Sequence, residues 1–293
     1  MDTVSENRLA DAVLARMADC KDARLQQIMG SLVRHLHAFA QEVELSESEW
    51  FAGVRFLTQT GQMCDDKRQE FILLSDVLGV SMLVDSINHR QSKGATESTV
   101  FGPYYREGAR ELQLGASIAG SSAGEPAIVS GRVRDYTGAP IEGALLDVWQ
   151  TDANGLYDTQ YPEPSGMNMR GKFRTDQQGR FEFRTLKPTS YSVPDDGPVG
   201  KLLRALGRHP YRPAHIHFIV SAPGFQPVTT HLFVAGDSYL DSDVVFGVKN
   251  SLVVEFVRHD SREEAATRNI AAPFYTIEYD FGLQADPAAA GTP

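Results

Sequence analysis

The sequence predicts an α+β chain, with a helical region over residues 1–95, an antiparallel β-sandwich over 96–285 and a flexible tail over 286–293. Three observations carry this reading. Apolar residues recur at helical spacing up to about residue 95, the period switches to two from about residue 127, and turn signals then arrive at roughly sandwich spacing.

The first helix, over Glu6 to Ala18, is the weakest. Leu25, Ile28, Met29, Leu32, Val33, Leu36 and Phe39 form one helical stripe. Ser46 and Glu49 have capping-box spacing and open a helix carrying Trp50, Val54 and Leu57. Another helix runs through Phe71, Leu74, Val77, Leu78 and Met82. So many helical residues can cap a second domain, form a dimer interface, or both.

Strands follow at Ile128 to Val133 and Ala144 to Trp149, separated by the turn Thr137-Gly138-Ala139-Pro140. Asp176-Gln177-Gln178-Gly179 between Lys172–Thr175 and Arg180–Thr185 reads as a hairpin. Later strands are His215 to Val220, Thr229 to Val234 and Ser251 to Arg258. Pro194 to Pro213 holds seven Gly or Pro residues and reads as a long functional loop. The Ala- and Pro-rich end reads as a loose tail.

The 293 residues are 42 % apolar and 23 % charged, a globular balance with no membrane-length apolar run. A net charge of −10 argues against general affinity for nucleic acid or anionic membranes. The polar, acidic start does not read as a secretion signal. With only Cys20 and Cys64, no disulfide framework or Cys-rich metal site can form, and the expected location is the cytoplasm.

His35 and His37 point to different faces of a helix, and His89, His209 and His259 are isolated in sequence. In His215-Ile216-His217 both imidazoles project from one face of a strand, a two-ligand fragment of a metal site at most. No Cys pair or Glu-x-x-His completes it. Tyr157, after the Asn154-Gly155 turn, and Tyr191, at a strand end, each read alone as half-buried core tyrosines. Tyrosinate is nonetheless a hard anionic donor that suits Fe(III) better than Zn(II). Arg212 stands close enough to the histidines to aim a guanidinium at a metal-bound anion, and reads equally as a surface ion-pair partner.

Gly207 to Phe218, containing Arg212-Pro213-Ala214-His215-Ile216-His217, resembles the signature of the intradiol ring-cleavage dioxygenases. Leu146 to Gln150 through Gly155-Leu156-Tyr157 is similar to that family's first tyrosine motif, and Tyr191 to its second. The resemblance covers essentially the whole chain, including the helical region that protocatechuate-type members lack. It implies a homodimer joined through the N-terminal helices, with room for a phospholipid in the dimer groove. It also implies one Fe(III) per chain, held equatorially by Tyr157 and His215 and axially by Tyr191 and His217. Tyr191 would take up a substrate proton and Arg212 would stabilise the carbanionic ring. The partners implied are a small aromatic diol or triol and O2.

Leu73, Asp76, Val100, Phe101, Gly102, Pro103, Tyr104, Val193, Pro194, Arg212 and Val245 occupy positions resembling the pocket lining of the hydroxyquinol and chlorocatechol branches. Tyr157-Asp158-Thr159-Gln160 and Phe233 to Asp243 look most like the hydroxyquinol branch, and Asp76 suits a third ring hydroxyl. His231 falls where catechol-type members carry Gln and is not read as a ligand. The alternatives are catechol or chlorocatechol cleavage and, in another class, a non-catalytic transthyretin-like binding sandwich. A zinc hydrolase built on His215 and His217 lacks a third ligand and a general base.

Overall fold

The computed structural model describes residues 6–66, 68–90, 94–120, 122–161 and 166–287, so most of the expected tail lies outside the described residues. The chain divides into two compact units, residues 1–62 and 63–293.

The first unit contains α1 (Glu6–Ala15), α2 (Ala23–Glu42) and α3 (Glu47–Gln62). Asp22 caps α2 by accepting from the Leu25 amide at 2.9 Å. The capping box of α3 is present in both directions: Ser46 N–H donates to Glu49 at 2.9 Å, and Glu49 N–H to Ser46 Oγ at 3.4 Å. Along α2, Leu25, Ile28, Leu32, Leu36 and Phe39 stay 46–55 % exposed, so the helices of the first unit leave much of the apolar stripe open.

The second unit opens with α4 (Glu70–Val77) and α5 (Val80–Asn88), where the sequence suggests one helix. Gly79 makes the break: its φ of 74° is left-handed, and its N–H closes α4 on the Asp76 carbonyl at 2.9 Å. The strands follow: β1 (Pro126–Asp135), β2 (Leu145–Trp149), β3 (Arg170–Arg174), β4 (Arg180–Leu186) and β5 (Tyr191–Ser192). Next come α6 (Pro198–Ala205), β6 (Tyr211–Arg212), β7 (His215–Ser221), β8 (Val228–Val234), β9 (Val253–Val254) and β10 (Val257–His259). The described chain ends with α7 (Arg262–Thr267), β11 (Phe274–Glu278) and β12 (Phe281–Leu283).

One sheet runs β10-β11-β1-β12 with β4 also on β1; a second runs β3-β2-β7-β8-β9; β5 and β6 form a separate two-stranded ribbon. The sheets are mixed rather than antiparallel throughout, because β11 and β12 both pair parallel to β1, and β9 pairs parallel to β8. Asp176–Gly179 is a tight turn, but not a hairpin. It joins β3, bonded to β2, to β4, bonded to β1, and so carries the chain from one sheet to the other. The Gly- and Pro-rich stretch read as a loop contains α6, started by Pro198 in its first turn, and ends in β6.

Strand alternation places Val129 and Phe183 of one sheet and Leu146, Ile216 and Phe218 of the other in one buried apolar cluster. Each such side chain contributes about 1.5–3 kcal/mol on burial, enough to fix the faces of β2 and β7. A second cluster joins Val77, Val193, Val199, Leu203 and Val245, anchoring α4 and α6 beside the ribbon.

Candidate active site

The alternation that sinks Ile216 and Phe218 into the core turns His215 and His217 to the other face of β7. On β8 the antiparallel register sets His231 directly opposite His217, and on β2 it sets Trp149 opposite. The Trp149 ring stacks on His217 at 4.6 Å with 14° between planes. Gly102 closes on the same imidazole: a Cβ there would lie 3.1 Å from His217 Cε1, at a φ of 76°.

Tyr157 follows a turn closed by Gly155 N–H on the Asp152 carbonyl at 3.0 Å, and its ring stacks on Tyr104 at 4.5 Å. Tyr191 lies in β5, in register with Arg212 of β6. Asp237 ties this ribbon to the start of β7: one carboxylate oxygen accepts from Ser190 Oγ at 2.6 Å and from Ala214 N–H at 3.0 Å.

Four side chains from three segments thus converge. Tyr157 Oη lies 3.2 Å from Tyr191 Oη and 2.9 Å from His217 Nε2, which is 3.1 Å from His215 Nε2. All four residues are buried. His215 Nδ1 is 2.7 Å from the Pro213 carbonyl, which assigns its proton there and leaves the Nε2 lone pair facing the cluster. Burial, with Arg212 beside it, holds His215 well below the ordinary imidazole range; burial, His215 and Arg212 do the same for His217. Both rings are therefore neutral. Burial and neighbouring Tyr191 push the Tyr157 phenol well above its usual value.

Internal hydrogen bonds do not satisfy this cluster. His217 Nε2 faces both Tyr157 Oη and His215 Nε2, and a proton on it serves one of the two. A cation meeting the two imidazole lone pairs and two phenol oxygens resolves the conflict, and the nitrogen–oxygen donor set fits a transition metal. His215, His217 and His231 also present ligand atoms within 4.8 Å of one another.

A cavity of about 720 Å³ meets the cluster at Tyr191 and Arg212. Leu73, Asp76, Val100, Gly102, Pro103, Tyr104, Val193, Pro194 and Val245 line it as well. Phe101 does not: it is 46 % exposed and packs edge-on to Tyr105 at 4.9 Å. Asp76 is buried in the wall, and burial raises its carboxyl above the ordinary value despite hydrogen bonding to Ser81 and the nearby charge of Arg212.

Family models describe nearly all of this chain: "Dioxygenase" matches residues 100–285, and "Catechol dioxygenase N terminus" matches residues 22–96. The chain belongs to the intradiol ring-cleavage dioxygenase family. It is 54 % identical to a 6-chlorohydroxyquinol 1,2-dioxygenase of Cupriavidus pinatubonensis, over 97 % of this chain and 99 % of the relative. It is 50 % identical to a hydroxyquinol 1,2-dioxygenase of a Rhizobium species, over 95 % of each. The crystal structure of a hydroxyquinol 1,2-dioxygenase from Pseudomonas putida superposes with a TM-score of 0.91 at 50 % identity, covering 96 % of this chain and 99 % of that one. A catechol 1,2-dioxygenase from an Acinetobacter species superposes at 0.84 with 29 % identity, covering 99 % and 96 %. The chain is thus an enzyme, and a non-catalytic binding module no longer describes it.

In this intradiol dioxygenase several cavity residues escape a reading by motif. Arg68 stands on the wall and pairs with buried Glu70 at 2.8 Å and with Asp196 at 2.8 Å, tying the start of α4 to the segment before α6. Gln160 also lines the cavity; its Oε1 accepts from Tyr157 N–H at 2.9 Å and its amide donates to Tyr104 Oη at 3.3 Å. Trp149 and Asp243 touch the site from behind. Gln160, Trp149 and Asp243 lie inside segments that resemble family motifs, but the motifs gave them no role, and Arg68 lies in none.

Proposed function

We propose that this enzyme cleaves hydroxyquinol (benzene-1,2,4-triol) with O2 between the adjacent hydroxylated carbons, giving 3-hydroxy-cis,cis-muconate, which tautomerises to maleylacetate. The observation carrying the choice of ring is Asp76, a buried carboxyl on the cavity wall near Arg212. Apolar Leu73, Val100 and Val193 around it suit an aromatic face, whereas a plain catechol offers this carboxyl no third hydroxyl. The hydroxyquinol-type names of the relatives at 50–54 % identity support the same choice.

Tyr157, Tyr191, His215 and His217 would hold one Fe(III) per chain, two phenolates suiting a hard trivalent cation. When bound, the ion supplies Lewis acidity, lowering the pKa of ligating phenols and of the diol. Tyr191, which lines the cavity as well as belonging to the donor cluster, would take a substrate proton at Oη. Arg212, cationic and buried, would stabilise negative charge developing on the ring, where low polarity strengthens the interaction. Asp76 would accept from the third hydroxyl and set the ring's orientation. Trp149 and Gly102 would hold His217 between them and keep its ring from turning.

The two sheets are read as a catalytic β-sandwich over residues 96–285, since one apolar cluster draws on both. Residues 1–95 are read as a dimerisation and linker region, and 286–293 as a flexible tail. The exposed stripe of α2 supports a homodimer and suits the acyl chains of a phospholipid in its groove. Among the described residues no helix is long and apolar enough to cross a membrane. Cys20 and Cys64 are both free thiols, which suits the reducing cytoplasm.

Steady-state kinetics on hydroxyquinol, catechol and chlorocatechol test the substrate. We expect kcat/KM to be highest for hydroxyquinol by about tenfold or more, the value of one buried hydrogen bond to a charged group. A higher kcat/KM for catechol overturns the choice and leaves the same chemistry on another diol.

A further inference from the structure

Arg212 is buried, and its guanidinium has five N–H donors to place. Asp243 takes the fork formed by Nε and Nη2, at 3.2 and 3.3 Å. The other Nη2 hydrogen faces His231 Nδ1 at 3.5 Å. What remains is Nη1, which lies 3.4 Å from His215 Nε2. If that lone pair is committed to a metal, Nη1 becomes the edge of Arg212 left to meet a bound ring.

Asp243 is itself held. Its side chain is 2 % exposed, Oδ2 accepts from Gly247 N–H at 2.9 Å and Oδ1 from Val245 N–H at 3.3 Å. The turn from 243 to 247 thus sets the carboxylate, and the carboxylate sets the guanidinium. Gly247 leaves room for this fork: a Cβ there would lie 2.9 Å from Arg212 Nη2 and 3.1 Å from Asp243 Oδ2. The same turn is fastened to α4, which carries Asp76. Arg208 donates to the Val77 carbonyl and, at 2.9 Å, to the Val244 carbonyl.

We propose that Asp243 is a positioning residue for ring cleavage: it fixes the orientation of Arg212 so that Nη1 alone faces the reacting ring. It touches neither substrate nor metal ligand in this role, and acts through Arg212. The inference rests on the reading of Arg212 as the cation that stabilises the ring. A turn-capping role confined to Val245 and Gly247 is the competing explanation, and it predicts no dependence on Arg212.

A double-mutant cycle on the iron-loaded enzyme separates the two. Asp243→Asn keeps the side chain's size and one carbonyl acceptor while removing the charge. In the wild-type background it should lower kcat by about tenfold and move KM by less than about threefold, because an interaction made mainly in the transition state is lost. In an Arg212→Gln background the same change should cost less than about twofold, since residues acting through one another are not additive. Crystal structures provide a readout independent of turnover: in Asp243→Asn, Arg212 Nη1 should have left its position beside His215. Gly247→Ala, which keeps both charges and crowds the fork, should lower kcat in the same direction if Asp243→Asn does not fold.

Equal losses from Asp243→Asn in both backgrounds, or a folded Gly247→Ala enzyme with wild-type kcat, would overturn the proposal. So would an unmoved Arg212 in the Asp243→Asn crystal. A wild-type enzyme that prefers catechol contradicts the substrate reading only, because the cycle can then be run on catechol.

Discussion

At the residue scale the site is a set of side chains that need one another. Tyr157 and Tyr191 lie 3.2 Å apart in a buried setting, and burial keeps the Tyr157 phenol protonated until a cation arrives. Removing the Tyr191 hydroxyl should therefore spare much of the metal binding and cripple turnover. Tyr191→Phe is expected to lose about 10²–10³-fold in kcat, the range for a positioned acid–base group, while iron measured per chain stays substantial. Near-normal turnover would remove its proton-acceptor role. Asp76 supplies a second test with a defined sign. Its carboxyl is raised above 3.8, so above that pH the unfolded chain gives up a proton that the folded one retains, and stability falls as pH rises through the folded value. Asp76→Asn should melt higher than wild type at neutral pH, by roughly a few degrees, with the difference vanishing below about 3.8. The same variant should lose the preference for hydroxyquinol over catechol.

At the element scale, the strand bearing His215 and His217 was legible because period-two alternation places both imidazoles opposite Ile216 and Phe218. The capping box of α3 was equally legible, being written in four consecutive residues. The parallel pairing of β11 and β12 with β1 was not, since pairing across some 150 residues leaves no local trace. Nor was the end of the hairpin reading at Asp176–Gly179, because turn chemistry specifies a reversal and not which sheet receives the next strand. α6 was masked by Gly197, Pro198 and Gly200, residues that suit its first turn but resemble loop composition. Tyr157 and Tyr191 illustrate the same limit inside the site: each has the local context of a core tyrosine, and only the fold or a family resemblance brings them together. α2 carries its own prediction. If α2 carries the proposed homodimer interface, wild type sediments as a dimer, and Leu32→Glu with Leu36→Glu on the exposed stripe should shift it toward monomer. An unchanged dimer would move the interface elsewhere.

For the whole molecule, a chain of net charge −10 keeps the buried cation Arg212 beside a cluster of neutral imidazoles. His215, His217 and His231 are all held below the ordinary 6.5 by burial and by one another or Arg212. In the iron-free protein the unfolded state binds more protons than the folded one below that value. Its thermal midpoint should therefore fall as pH drops from about 6.5, and a flat profile would contradict the burial of the three rings. The assembled cavity brings a diol ring and O2 together for cleavage. The most direct measurement pairs an oxygen electrode with mass analysis of the product from hydroxyquinol. One O2 consumed per triol, with a ring-opened dicarboxylate as product, is the predicted result. No oxygen uptake, or a product bearing an aldehyde from cleavage outside the diol, would contradict it.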